Sequence, residues 1–447
     1  MSIKEGSAAS VMVGTGDSYI IPYAVELGVS NFQTGILAGI VNLFGPLAQI
    51  FGSKLMEKTH RQKITTISVA LQASSWFLFV IIGLIFLLSH KTAVLTVPLI
   101  IAYLLYSIFG SVGAPAWFSM VGDAVPEEMR GRYFSKRNKI LNIFSVTSTI
   151  LAAVCLYYFK QIEIIYGFII LFTVAALARY VSAYYFTKHY AEDLTLDKDY
   201  YFSFWRFIKK IPRRNFNKFS LYIGLINFAT NIAGPFFNVY MWKVLQFNPI
   251  WFTLVNISTG VFSFFFFPFW GKFADKYGNR ELLRLGSILI IPLPLFWLFS
   301  GNPIYLMFIP QLLSGLGWSA FNLASSNFIY DSIKPQQRAL CVSYYNVMNG
   351  IGIFFGSLLG GLIVQFTSWS FINNFFLVFI ISSVIRLMAA VLILPKVKEV
   401  REKHHPTSQN PLNYLNEIRP IYGSLIDRVY PLKLHRFLDF KKIFFRK

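Results

Sequence analysis

A chain of 447 residues that is 55% hydrophobic and only 14% charged is too apolar for a soluble globule of ordinary composition. Its net charge of +21, carried by 41 basic residues, would suit nucleic acid in a soluble protein, but membrane topology and attraction to anionic lipid account for it here, so no nucleic-acid partner is expected. The composition is that of a polytopic membrane protein whose standing partners are membrane lipids.

A span needs about 20 mostly apolar residues to match a hydrocarbon layer of about 30 Å, and twelve such runs follow in chain order. The first six cover 6–28, 31–54, 64–88, 94–122, 140–159 and 163–187. The second six cover 217–244, 249–272, 283–299, 302–331, 341–366 and 369–394. Lipid offers the backbone no hydrogen-bond partner and the runs lack the alternation of a barrel, so each reads as a helix and the predicted fold class is all-α. The first run holds Asp17 and no small-residue cleavage site follows a short apolar core, so it is expected to be a retained span. Cys155 and Cys341 fall in spans of different halves and read as packing residues.

Arg179 and Arg386 sit toward the inner ends of spans 6 and 12, where long side chains are expected to reach the headgroups or to pack at the inner leaflet. The run "FSFFFFPFW" of span 8 reads as lipid-facing or packing surface. Gly352, Gly356 and Gly360 in span 11 recur every four positions, a spacing that favours close helix contact. The connection 188–216 turns from acidic to aromatic-basic, and "YYFSFWRFIKK" within it suits a short interfacial helix. Residues 395–447 form a basic tail to which no chemistry is assigned.

The chain is written twice. At one constant shift Asp123 meets Asp331, Arg130 meets Arg338, Ser135 meets Ser343 and Asn138 meets Asn346. At nearly the same shift Arg179 meets Arg386, and a somewhat larger one places Glu57-Lys58 on Asp275-Lys276. The predicted organisation is therefore a six-helix bundle over 1–187, a linker over 188–216, a second six-helix bundle over 217–394, and the tail. Two six-span halves that start on the same side are parallel repeats about an axis along the membrane normal.

The segment Gly271, Asp275, Lys276, Gly278, Arg280 resembles the loop signature G-x-x-x-D-[RK]-x-G-[RK]-[RK] of the major facilitator superfamily, with Asn279 the one departure. Together with the 6+6 layout, the resemblance covers about residues 6–394. It implies that Gly271, Asp275, Lys276, Gly278 and Arg280, with Asp123, Arg130, Asp331 and Arg338, form a gate on the inner face; the alternative is a solvated positive-inside loop. The first-half copy of the signature is degenerate, with His60 where the second glycine would fall. Tyr106 stands where proton-coupled members carry an arginine in span 4, and span 5 lacks the Gly-Pro motif of drug antiporters.

The family's cavity is lined by spans 1, 4, 7 and 10, and polar stripes at helical spacing mark the same helices. Span 7 offers Asn227, Asn231 and Asn238; span 10 offers Gln311, Trp318 and Asn322; span 4 offers Tyr103 and Trp117. Polar side chains facing lipid are costly, so these faces should point inward, either to a neutral or amphipathic solute or to partner helices as interhelical hydrogen bonds. Asp17 lies near the middle of span 1 between Gly14, Gly16 and Pro22, which loosen the helix. An acid at that depth costs at least about 2.5 kcal/mol, so it serves either a coupling ion, H+ or Na+, or a cationic substrate group, or else a structural partner.

An intramembrane enzyme would need a His or metal cluster at membrane depth, yet all six histidines fall in loops or the tail. No enzyme activity and no cofactor are expected. A sensor or a lipid scramblase on the same scaffold is the rival reading. The expected protein is a monomeric secondary active transporter of a small-molecule substrate in the cell membrane, working by alternating access. Because basic residues avoid one set of loops, both termini are predicted to be cytoplasmic. Single cysteines at positions 91, 160 and 243 should react with an impermeant reagent added to sealed cells, while cysteines at 276 and 447 should not. Outside labelling at 276 would sink the twelve-span reading.

Overall fold

An apolar chain in lipid must satisfy its backbone internally, and every element among the described residues of the computed structural model is helical. The structure describes residues 1–56, 58–89, 92–124, 127–189, 204–211, 213–333, 335–367 and 373–400. In the first half, α1 (Ser2–Thr15) and α2 (Ile20–Glu26) are joined through a 3-10 turn at Asp17–Tyr19, followed by α3 (Asn31–Leu55) and α4 (Arg61–Ser89). Then come α5 (Thr92–Val112), α6 (Ala114–Ala124), α7 (Glu127–Phe159) and α8 (Ile164–Phe186). The predicted interfacial helix is α9 (Phe204–Lys209), with Phe207 buried against Phe216 and Tyr344.

The second half holds α10 (Asn215–Val239), α11 (Pro249–Tyr277), α12 (Asn279–Ile290), α13 (Leu293–Phe296), α14 (Pro303–Phe308), α15 (Pro310–Ser332), α16 (Pro335–Phe366) and α17 (Asn374–Leu392). Nine helical stretches among the described residues are long and apolar enough to cross a membrane. The other three predicted spans are helical too, but the first breaks at Gly16, the ninth breaks after Ile290, and the seventh is diluted by Asn227, Asn231 and Asn238. Short polar caps fix the turns between them. Ser30 and Gln33 form a reciprocal capping box at the start of α3, and the Asn248 side chain accepts the Trp251 N–H at 2.8 Å at the start of α11.

The helix pairing repeats with a six-span period. Within the halves α1 packs on α7 as α10 packs on α16, and α3 packs on α5 as α11 packs on α15. Between the halves α3 packs on α16 and α11 on α7. Lipid tails are as apolar as the side chains they replace, so association rests on close packing and hydrogen bonds rather than on hydrophobic transfer. Glycines supply the closeness. A Cβ on Gly352, Gly356 or Gly360 would collide with the carbonyls of Gly224, Phe228 and Ile232 in turn, so α16 and α10 meet backbone to backbone along the predicted small-residue stripe. Phe264, Phe265 and Phe267 of α11 stay exposed, the lipid-facing reading of that aromatic run.

Arg179 and Arg386 do not reach for the headgroups; both turn inward. Arg386 is 2% exposed and donates through Nη1 to the Ile290 carbonyl at 2.6 Å. That carbonyl is orphaned because Pro294, four residues on, has no N–H to offer. Arg179 donates through Nε to Gln72 Oε1 of α4 at 2.7 Å and through Nη1 to Ser182 Oγ at 3.2 Å. An internal acceptor thus wins over snorkelling in each half.

Because Gly356 sits at the middle of the backbone contact, Gly356→Val should destabilise the purified protein by about 1 to 3 kcal/mol. The equivalent change at Gly271, where a Cβ meets nothing within 4 Å, should be near neutral. Thermal melting in detergent distinguishes the two.

Candidate functional site

The first span is broken where its acid sits. The Trp76 ring lies against Gly16, and Ser148 and the Ser145 carbonyl lie against Gly14, so neither position admits a Cβ without displacement. The chain answers with a 3-10 turn in which the Tyr19 N–H bonds the Gly16 carbonyl at 2.9 Å, while Ser18 Oγ donates to the Val13 carbonyl at 3.2 Å. Asp17 therefore leaves the helical register and joins the wall of a cavity of about 540 Å³.

That cavity is lined by Asp17, by Asn42, Gly45, Pro46 and Gln49 of α3, by Tyr103, Tyr106, Ser107 and Ser111 of α5, and by Asn346 and Asn349 of α16. Tyr106 of α5 lines the same cavity as Asp17, with its hydroxyl donating to Met12 Sδ at 3.7 Å, and Arg179 is a cation whose field reaches the carboxyl. The carboxylate oxygen Oδ1 has no hydrogen-bond partner among the described residues. A tyrosine thus occupies the span-4 position at which proton-coupled relatives resembling this chain carry an arginine, and the cation comes from span 6.

The cavity has one closed end. Toward the face away from Met1 and Val400, Tyr19 Oη shares a hydrogen bond with Thr253 Oγ1 of the other half at 2.7 Å and donates to the Thr149 carbonyl at 2.9 Å. Trp242 Nε1 donates to Glu26 Oε1 at 2.6 Å, again across the halves, and the Phe32 and Phe366 rings meet at 6.2 Å. Helices α3 and α16 touch from Asn31 and Gly361 through Gly39 and Phe354 to Asn42 and Gly350. One to two turns beyond that contact, Pro46 and Gln49 line the cavity.

Of the residues expected to bind substrate, Asp17 and Tyr103 line this cavity. Trp117 lies deeper in the first half, where its Nε1 donates to Glu5 Oε1 at 3.0 Å. Gln311 joins α15 to α11 through Thr259 Oγ1 at 2.6 Å and the Val255 carbonyl at 3.0 Å, which is the interhelical use of a membrane glutamine. Asn231 bonds the Asn227 carbonyl of its own helix at 2.9 Å, Asn238 is half-buried, Trp318 packs edge-on to Phe321, and Asn322 is exposed. None of these seven is in the cavity lining.

The signature loop is anchored to α15 and to the chain just beyond α17. Gly278 adopts φ +92°, a left-handed value that ends α11. Asn279, the departure from the signature, donates to Asp331 Oδ2 at 2.6 Å and accepts from Asn327 at 3.1 Å, tying α12 to α15. Arg280 donates through Nε to the Val397 carbonyl at 2.8 Å, and its N–H reaches Glu399 Oε2 at 2.7 Å. Lys276 lies over the Tyr277 ring at 4.8 Å. The side chains of Asp123, Arg130, Asp275 and Arg338 lie outside the described ones.

Sequence reasoning missed spans 2 and 11 as cavity walls. The signal was present by the same rule used for span 7, since Asn42 and Gln49, and Asn346 and Asn349, are polar pairs at helical spacing. It also missed a buried ion pair: Arg137 Nη2 meets Glu5 Oε1 at 3.0 Å with both side chains under 10% exposed, and the guanidinium stacks over Trp117. Among the described residues no cluster of His, Cys, Asp or Glu is placed to hold a metal.

The sequence profile of the Major Facilitator Superfamily matches residues 7–255 and, overlapping them, 219–444. The chain belongs to that superfamily. Rat "solute carrier family 22 member 18" is 29% identical over 157 residues, 34% of this chain and 36% of the relative. The "quinolone resistance protein NorB" of Staphylococcus aureus strain JH9 is 35% identical over 144 residues, 31% of this chain and 29% of the relative. The matched stretch thus spans about a third of these relatives' length. The fold is also that of a bacterial homologue of the iron transporter ferroportin in an inward-facing state, with a TM-score of 0.69 at 15% identity over 89% of this chain and 98% of that one. These matches place the protein in the membrane as a multi-pass superfamily member.

Removing one partner of a buried pair leaves an uncompensated charge and costs about 3 to 5 kcal/mol. Arg137→Met should therefore lower stability by that order, whereas the double change Glu5→Gln with Arg137→Met should recover much of it. Melting curves of the three proteins test the pair.

Proposed function

We propose that this superfamily member is a secondary active transporter that carries a small organic solute by alternating access, with transport coupled to H+ or Na+ through Asp17. One observation carries the reading: a mid-span carboxylate with an unpartnered oxygen lies in the wall of a polar cavity that is shut on one side and open on the other. The closed side is held by contacts between the halves, at Tyr19–Thr253, at Glu26–Trp242 and along α3 and α16, which must part if the cavity is to face the other way. The names of the curated relatives, a solute carrier and a drug-resistance protein, support a solute as cargo.

The lining fits a neutral or amphipathic solute. Asn42, Gln49, Asn346 and Asn349 offer amide donors and acceptors, Ser107 and Ser111 offer hydroxyls, and Tyr103 and Tyr106 offer rings. With both termini cytoplasmic in the cell membrane, the open side faces the cytoplasm. Asp17 then exchanges its ion with that side, with the Arg179 field favouring its charged form.

A thermal-shift screen against pooled metabolites would first supply a substrate, since whatever binds the folded state raises its melting point. Asp17→Asn keeps the side chain's shape and removes its charge. In proteoliposomes with an imposed ion gradient the variant should fold, bind the substrate and exchange it, but fail to accumulate it. Accumulation at the wild-type level would reject coupling through Asp17, and loss of the folded protein would assign the acid a structural role.

A further inference from the structure

Helices α3 and α5 have a second cavity on their other side. It measures about 630 Å³ and lies between α3, α4 and α5, walled by Leu47, Phe51, Ile67, Leu71, Phe109 and their apolar neighbours, with Lys63 and Thr59 at one end. It is separate from the polar cavity: Asn42 and Gln49 of α3 and Ser107 and Ser111 of α5 face the one, while Leu47 and Phe51, with Ile108 and Val112, face the other. Phe51 is 62% exposed and Ile67 48%, so the groove opens outward to the bilayer.

Three features select its occupant. The groove is almost wholly apolar along its length, which suits hydrocarbon and not a solute dissolved in water. It runs from Phe44 to Leu55 along α3, about 16 Å at 1.5 Å per residue, close to the roughly 15 Å of one leaflet's hydrocarbon. Its polar end is basic: Lys63 lines it beside Thr59, Lys54 and Lys58 are exposed next to Leu55 and Thr59 in the chain, and by sequence the stretch 54–63 sets four cations against the single carboxylate of Glu57.

We infer that the groove between α3, α4 and α5 is a site for one anionic phospholipid, its acyl chain lying along Phe51 and Ile67 and its phosphate held by Lys58 and Lys63. The bilayer leaflet that meets the termini face supplies it, whichever compartment that face adjoins, so the inference does not depend on what the central cavity carries. A chain seated there braces α5 from outside, on the helix whose inner face presents Tyr103 and Tyr106 to Asp17. The brace meets α5 near the Ser68 hydroxyl's bond to the Phe109 carbonyl, one turn before the helix breaks at Gly113.

The test uses the full chain, delipidated in detergent, with phosphatidylglycerol or phosphatidylcholine added in mixed micelles. Melting point and lipid retained in native mass spectrometry are the readouts. Phosphatidylglycerol should raise the melting point and remain bound at one copy, and phosphatidylcholine should do so much less. A lysine beside anionic lipid contributes about fivefold in affinity, so Lys58→Gln with Lys63→Gln should raise the half-saturating phosphatidylglycerol concentration roughly twenty-five-fold. Ile67→Trp fills the groove and leaves every charge in place; it should lose the retained lipid while melting normally in detergent alone. Equal responses to the two lipids overturn the site. A response lost in the lysine variant but kept by Ile67→Trp also overturns it, because lipid is then held by surface charge without the groove. If the lysine variant does not fold, Ile67→Trp decides alone.

Discussion

Backbone contact between α3 and α16 sets the shape of this molecule, and nearly everything that distinguishes its two faces follows from where that contact stops. Gly35 and Gly39 on one helix and Gly350 and Gly361 on the other let main chains approach where side chains would hold them apart. In lipid such contact is worth more than apolar bulk, because a leucine gains nothing by exchanging a lipid tail for another leucine. Once the stripe of glycines ends, at Asn42 and Gly350, polar side chains replace them and the helices part around the cavity.

The two membrane arginines show how duplication constrains chemistry without copying it. Both sit at the same place in their halves, and both turn to the third helix of the half. Arg386 repairs a carbonyl that a proline has orphaned in the ninth span. Arg179 bonds a glutamine on an unbroken helix and lends its field to Asp17 and Glu5. One half has spent its arginine on backbone repair; the other has kept it as a charge within reach of the cavity. The asymmetry gives the first half the buried acids, Asp17 and Glu5, and the cations that accompany them.

Asp17 is held by its surroundings rather than by a partner in contact. Gly14 and Gly16 admit α7 and Trp76, the helix breaks, and the break turns the carboxyl toward the cavity. Tyr19, two residues on, reaches Thr149 and Thr253 at once, so the turn that orients the acid also joins the two halves. Separation of the halves on that side cannot leave the turn unstrained. That mechanical link is a reason for acid and gate to occupy neighbouring positions.

Much was legible in the sequence because it rests on local rules. Hydropathy decided that the chain lives in lipid, and the internal repeat decided that its helices come in two related sets, since an apolar run has no other stable form there. The glycine stripe of span 11 and the acid of span 1 were visible for the same reason: each is unusual against its own neighbours. What the sequence could not order was contact between helices distant in the chain. Asn227, Asn231 and Gln311 satisfy the same spacing rule as Asn42, Gln49 and Asn346, yet only the second set lines the cavity, and Gln311 is used up on Thr259. For Arg179 the sequence left headgroup contact and inner-leaflet packing both open; its bond to Gln72, 107 positions away, decides for packing. Periodicity tells which face of a helix is polar, and only the tertiary structure decides whether that face meets water, lipid or another helix, because the answer depends on the helix packed against it.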